Sequence, residues 1–227
     1  MVKAPHEGAG KPRVAILISG RGSNMAALIK AAKVGGFPAE IAVVISNRAD
    51  AGGLASAENV STITIESKPF GKDRAAFEAR LQATLDDHRI DLICLGGFMR
   101  LFTAEFVQAW YGKMLNIHPS LLPSFPGLDP HAQALKAGVK VSGATVHFVT
   151  PETDAGPIVM QGVVEVRDDD TPQTLSARIL EIEHQIYPEA LRLLASGKLR
   201  LDGEICRLAG GAGVCGTLIS PRPAGRA

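Results

Sequence analysis

No run of apolar residues in this sequence approaches the ~20 that a membrane-spanning helix requires. The stretch from Met1 to Pro12 is polar, carries Gly and Pro, and lacks the apolar core of a secretory signal. Net charge is nearly absent too. The formal value is +1, with no Lys/Arg cluster, so generic binding to nucleic acid or to an anionic membrane has no electrostatic basis. An anionic ligand must therefore be held by local geometry. Cysteine is scarce: Cys94, Cys206 and Cys215 are odd in number and lack metal-ligand spacing. Cys94 lies in the apolar run Leu92-Ile93-Cys94-Leu95, where a thiol behaves as a small buried hydrophobe. These absences predict a protein of the reducing cytoplasm.

Hydrophobic residues make up 46% of the 227, enough for one large domain with a real core. Neither an internal repeat nor a second domain is visible. The expected organisation is a flexible leader over residues 1–12, a domain over 13–202, and a poorly ordered Gly/Ala/Pro-rich tail over 203–227.

Four apolar runs read as strands: Arg13 to Ser19, Ile41 to Ser46, Ser61 to Ile65 and Asp91 to Gly97. Met114 to Ile117 makes a fifth. Between them lie helical patterns. Met25, Leu28, Ile29 and Ala32 form one stripe, Phe77, Leu81 and Leu85 another in a helix that Asp73 starts, and Thr103 caps a helix through Trp110. Asp50 is expected to cap a short helix through Glu58. Strands alternating with helices predict an α/β, Rossmann-like, mostly parallel twisted sheet flanked by helices. Its ligand crevice lies beyond the strand carboxyl ends. After a short helix over Pro130 to Ala137, Val141 to Val149 alternates, with Thr145, His147 and Val149 on one side. Ile158 to Val166 runs back, predicting an antiparallel hairpin added to the sheet. Leu175, Ile179, Ile182 and Ile186 mark a long final helix, bent or broken near Pro188, with Glu183 and His184 just off its buried stripe.

Two stretches carry the chemistry. Gly20-Arg21-Gly22-Ser23-Asn24 joins a strand to a helix, which aims unpaired N–H groups and the positive dipole end at an anion. Met25 stands where a dinucleotide fingerprint needs a third glycine, and no Walker lysine follows. The loop therefore suits a phosphate monoester; the alternative is a tight turn with Ser23 as helix cap. The other stretch is Asn116-Ile117-His118-Pro119-Ser120-Leu121-Leu122-Pro123. Asn116 and His118 project to one face of an extended strand, Pro119 ends strand pairing, and a stiff exposed loop follows. On residue type alone this is either a turn-capping histidine or a reactive site. Arg74 in the first turn of a helix reads as an ordinary exposed cation, and Asp154 as a turn residue. Asp168-Asp169-Asp170-Thr171-Pro172 is explained by helix capping.

Together these motifs resemble the folate-dependent phosphoribosylglycinamide formyltransferases of purine biosynthesis, from Arg13 to about Leu201. The resemblance rests on the loop Ile18 to Asn24, Ile45-Ser46-Asn47-Arg48-Ala49-Asp50 and Gly97-Phe98-Met99-Arg100. It also rests on Asn116 to Pro123, and on Val146-His147-Phe148-Val149 with Asp154-Ala155-Gly156-Pro157. It implies formyl transfer from 10-formyltetrahydrofolate, as co-substrate, to the glycinamide amine, without a metal. It makes Asn116, His118 and Asp154 the catalytic trio. Gly22, Ser23, Asn24, Pro119 and Glu183 would hold the ribonucleotide. Arg74, Met99, Arg100, Leu101, Phe102, Thr150, Asn116 and Asp154 would face the folate. Arg74 and Asp154 thus gain roles that their type alone does not give them. Arg21 and Asp129 depart from several relatives. Formyltransferases that act on methionyl-tRNA and formyl-folate hydrolases share this core but carry further domains, for which the chain has no room. Small molecules are the only partners implied, with a monomer or weak homodimer.

Overall fold

The computed structural model describes residues 10–211 and Ser220. Five strands alternate with helices in its first part: β1 Arg13–Ile18, α1 Ser23–Ala32, β2 Glu40–Ser46, β3 Ser61–Thr64, α2 Arg74–Asp87, β4 Leu92–Leu95, α3 Ala104–Ala109 and β5 Met114–His118. Then come α4 Pro130–Ala137, β6 Val141–Phe148, β7 Ile158–Glu165, α5 Pro172–Ala195, β8 Leu199–Asp202 and β9 Ile205–Leu208. Seven strands form one sheet in the order β3-β2-β1-β4-β5-β6-β7. Pairing is parallel from β3 through β5 and antiparallel from β5 to β7. The order reverses between β1 and β4, so the loops after these strands diverge and leave a crevice at the sheet's carboxyl edge.

Strand periodicity builds a core on each face. Val14, Ile16 and Ile18 pack with Met25, Leu28 and the α5 residues Leu175, Ile179, Tyr187 and Leu191. Ala15 and Leu17 point the other way, onto Phe77, Leu81 and Leu85 of α2 and Trp110. A fully buried side chain of this kind contributes about 1.5–3 kcal/mol, so both faces anchor the strand ends that carry the site.

The expected helix ends hold at three places. Asp73 accepts from the Ala76 N–H, Thr103 from the Phe106 N–H, and Thr171 and Thr174 make a reciprocal capping box ahead of Pro172. Others differ. Asp50 caps nothing: it pairs with Arg48, and Ala51 precedes a short 3-10 turn at Gly52–Ser56. The cap of α1 is Gly22, in left-handed geometry, and Ser23 is already helical. A side chain at Gly22 would strain that φ of 71° and meet Gly53 Cα at 2.9 Å. α5 continues through Pro188, because the buried residues Tyr187, Ala190, Leu191 and Leu194 hold it on the core. The loop after His118 is not exposed throughout: Ser120 and Leu122 are buried. Thr145 Oγ1 accepts from the Leu122 N–H and donates to the Ser120 oxygen. The expected tail boundary at 202/203 falls inside the β8–β9 hairpin, where Leu201 pairs with Cys206. The alternating apolar residues Leu199, Leu201 and Cys206 pack against the core there. Most of the leader (residues 1–9), the rest of the tail (212–219 and 221–227) and Cys215 lie outside the described residues.

Candidate active site

Strand register assembles one polar cluster at the carboxyl edge. β5 carries Asn116 and His118, and antiparallel pairing sets Asn116 opposite His147 and His118 opposite Thr145. The loop after β6 returns Asp154, held at a φ of 55°, to the same place. Asp154 Oδ2 lies 3.3 Å from His118 Nδ1 and its Oδ1 3.8 Å from His147 Nε2. The Gly127 N–H also donates to Oδ2, at 2.9 Å. Oδ2 is therefore the oxygen held in place, by His118 and Gly127 together, and the side chain is 9% exposed. The trio expected from the sequence is brought together.

Proton positions follow from the partners. His118 Nε2 lies 3.0 Å from the Phe125 carbonyl, which can only accept, so Nε2 carries hydrogen. Nδ1 faces a carboxylate. With Asp154 ionised, that contact needs a second N–H, the geometry of an imidazolium–carboxylate pair. His147 is arranged differently. Its Nδ1 meets the Phe148 carbonyl at 2.9 Å, leaving Nε2 free of hydrogen in the neutral ring to accept from Asn116 Nδ2 at 3.2 Å. Burial lowers the His147 pKa, opposed by the Phe148 carbonyl and Asp154. A neutral His147 thus holds one Asn116 amide hydrogen and leaves the other available.

Two cavities flank the cluster. One is walled by Leu95, Val107 and Val149, with Arg74, Arg100, Leu101, Phe102, Asn116, Thr150 and Asp154 around it. Phe98, Phe102 and Phe106 stack behind it, with centroids 5.4 and 4.7 Å apart. The Arg100 guanidinium lies 4.7 Å over the Phe77 ring. Met99, expected with these residues, lies instead on a neighbouring cavity with Ser19 and Asn47. Its N–H donates to Ser19 Oγ, which turns the loop that way. The other flanking cavity gathers Gly22, Ser23, Asn24, Pro119 and Glu183, together with Arg21 and His131. Glu183 is only 7% exposed. Burial raises its pKa, and the Asn24 Nδ2–H donating at 2.6 Å pulls it back. Asn24 Oδ1 is buried with no partner among the described residues, so it offers an acceptor to whatever fills this cavity.

His147, the Phe125 carbonyl and the Gly127 N–H were not foreseen as site groups. For His147 only half of a signal existed: alternation put it on one side with Thr145 and Val149, while strand register is what sets it beside Asn116.

The profile of the formyl transferase family matches residues 12–191, and the chain belongs to that family. Two of the similar proteins name the same transfer to a glycinamide ribonucleotide. The Haemophilus influenzae phosphoribosylglycinamide formyltransferase is 40% identical over 204 residues, covering 88% of this chain and 95% of that one. The crystal structure of glycinamide ribonucleotide transformylase 1 from Symbiobacterium toebii is 45% identical with a TM-score of 0.85, covering 88% and 95%. The human trifunctional purine biosynthetic protein adenosine-3 is 50% identical over 200 residues, 86% of this chain. The chain spans only 20% of that protein's length.

Proposed function

We propose that this chain transfers a formyl group from 10-formyltetrahydrofolate to the amine of 5-phosphoribosylglycinamide, giving formylglycinamide ribonucleotide in purine biosynthesis. The observation that carries this reading is the Asn116–His147–Asp154–His118 cluster, set between an anion-directed glycine turn and an apolar cavity with two guanidinium groups. The Gly22 turn and the start of α1 take the phosphate, and the buried Glu183–Asn24 pair takes neighbouring hydroxyls. The apolar wall fits a flat heteroaromatic ring, with Arg74 and Arg100 placed for its anionic end. What the folate supplies when bound is the activated formyl group.

In the transfer, a C–N bond forms from the glycinamide amine to the formyl carbon and the bond to the folate nitrogen breaks. Negative charge grows on the formyl oxygen in between. The free Asn116 amide N–H stabilises that oxygen, its aim fixed by His147. His118 adds its Nε2–H as that hydrogen turns from the Phe125 carbonyl to the formyl oxygen. Asp154 holds His118 through its Nδ1 and helps the amine proton reach the departing nitrogen. The protein acts in the cytoplasm on small molecules, as a monomer or weak homodimer.

The test is formyl transfer by purified protein, with and without the ribonucleotide. Ribonucleotide-dependent release of tetrahydrofolate supports the reading. Equal release with no acceptor would replace it with hydrolysis.

A further inference from the structure

One buried hydroxyl touches both strands at the site's edge. Tyr187 Oη lies 3.0 Å from the Leu95 oxygen and 3.0 Å from the Leu115 oxygen, and Tyr187 is completely buried. Leu95 is the last residue of β4 and the register partner of Asn116; Leu115 is the residue immediately before Asn116 in β5. The hydroxyl therefore bridges neighbouring strands where β5 hands over the Asn116 amide and β4 turns into Gly96-Gly97. Both of those glycines border the cavity that holds Asn24 and Glu183. Tyr187 comes one helical turn after Glu183 on α5, on the same face. A single rigid helix thus fixes the buried carboxylate on one side and the strand ends on the other. The Cys94 thiol sits beside the hydroxyl; burial pushes its pKa up to about 12, so it stays a neutral neighbour. A buried Tyr hydroxyl needs a partner, yet one carbonyl would satisfy it. Sharing its hydrogen between two strands is the feature that capping alone does not explain.

We propose that the Tyr187 hydroxyl is a positioning group for formyl transfer, bracing the ends of β4 and β5 so that the Asn116 amide keeps its aim. This rests on the reading of Asn116 as a donor to the formyl oxygen. Removing the hydroxyl frees the strand ends by a fraction of an ångström. Misplacement by about 1 Å costs on the order of 10²-fold in rate, so about tenfold is expected here.

The experiment compares Tyr187→Phe with Leu191→Ala, a buried change one turn further along α5, and with Asn116→Ala. Tyr187→Phe is expected to lower kcat about tenfold with both KM values within about twofold, and to shift the Asn116 side-chain amide resonance. Leu191→Ala is expected to lower the thermal midpoint at least as far while keeping kcat and that resonance. Near-normal kcat in Tyr187→Phe, or equal losses of kcat in Tyr187→Phe and Leu191→Ala, overturns the proposal. If Asn116→Ala loses kcat while Tyr187→Phe does not, only the brace fails. If Asn116→Ala keeps kcat, the reading of Asn116 fails with it.

Discussion

The two sides of the crevice are built by opposite means. On the Gly20–Asn24 side, backbone does most of the work: a left-handed glycine and the first turn of α1 are contiguous in sequence, and one distant carboxylate, Glu183, completes them. On the Asn116 side, no two of the four clustered side chains are adjacent in the chain. Strand register and a returning loop bring Asn116, His118, His147 and Asp154 together. A local site can be damaged at one residue and still present its remaining N–H groups. A convergent site has each group positioning the next, so its losses should be larger and should fall on turnover rather than on binding.

His118→Ala offers the hardest break of that contrast. It removes both the Nε2–H proposed to reach the formyl oxygen and the partner of Asp154, while β5 keeps its pairing. Turnover is expected to fall by about 10² or more, the cost of losing an oxyanion donor, with the ribonucleotide KM little changed. Steady-state kinetics checks it; turnover within a few-fold of the parent would defeat the proposed role. Asn24→Ala probes the other side. Losing one polar contact to the ribonucleotide is expected to raise its KM about tenfold with kcat nearly kept. An unchanged KM would return Asn24 to a purely structural contact with Glu183.

The same contrast explains what the sequence made legible. The parallel strands, the glycine turn and the caps at Asp73, Thr103 and Thr171 were readable because each depends on residues within a few positions. Asn116 and His118 were readable as a pair for the same reason. What joins them to His147 is register across a sheet, which periodicity leaves undetermined. The role of Asp154 came only through family resemblance, since a lone Asp at a positive φ looks like any turn. The Phe125 carbonyl on His118 Nε2 could not be read at all, because a carbonyl carries no sequence signature. Of the bend or break expected at Pro188, the break is absent, and for a physical reason. One missing N–H is a local cost, whereas the buried residues around it hold the whole helix against the sheet.

The smallest expected effect concerns stability against pH, and here His147 and Glu183, one from each side, carry opposite signs. Burial lowers the pKa of His147 on the convergent side below its ordinary 6.5, and does the same to His131 and His184. In that window the unfolded chain binds more protons than the folded one. Their contribution is therefore complete above 6.5 and is lost as the pH falls below it. Glu183, on the local side, is raised above 4.5 by burial. Its contribution is complete below 4.5 and is lost as the pH rises through the raised value. Denaturant midpoints are thus expected to decline as the pH falls from 6.5. His147→Gln should flatten the decline, and Glu183→Gln should steepen it just above 4.5 by removing the opposing group. A His147→Gln variant with the parent's acid slope would show that protonation of His147 does not limit the fold, and would leave the neutral acceptor to Asn116 without support.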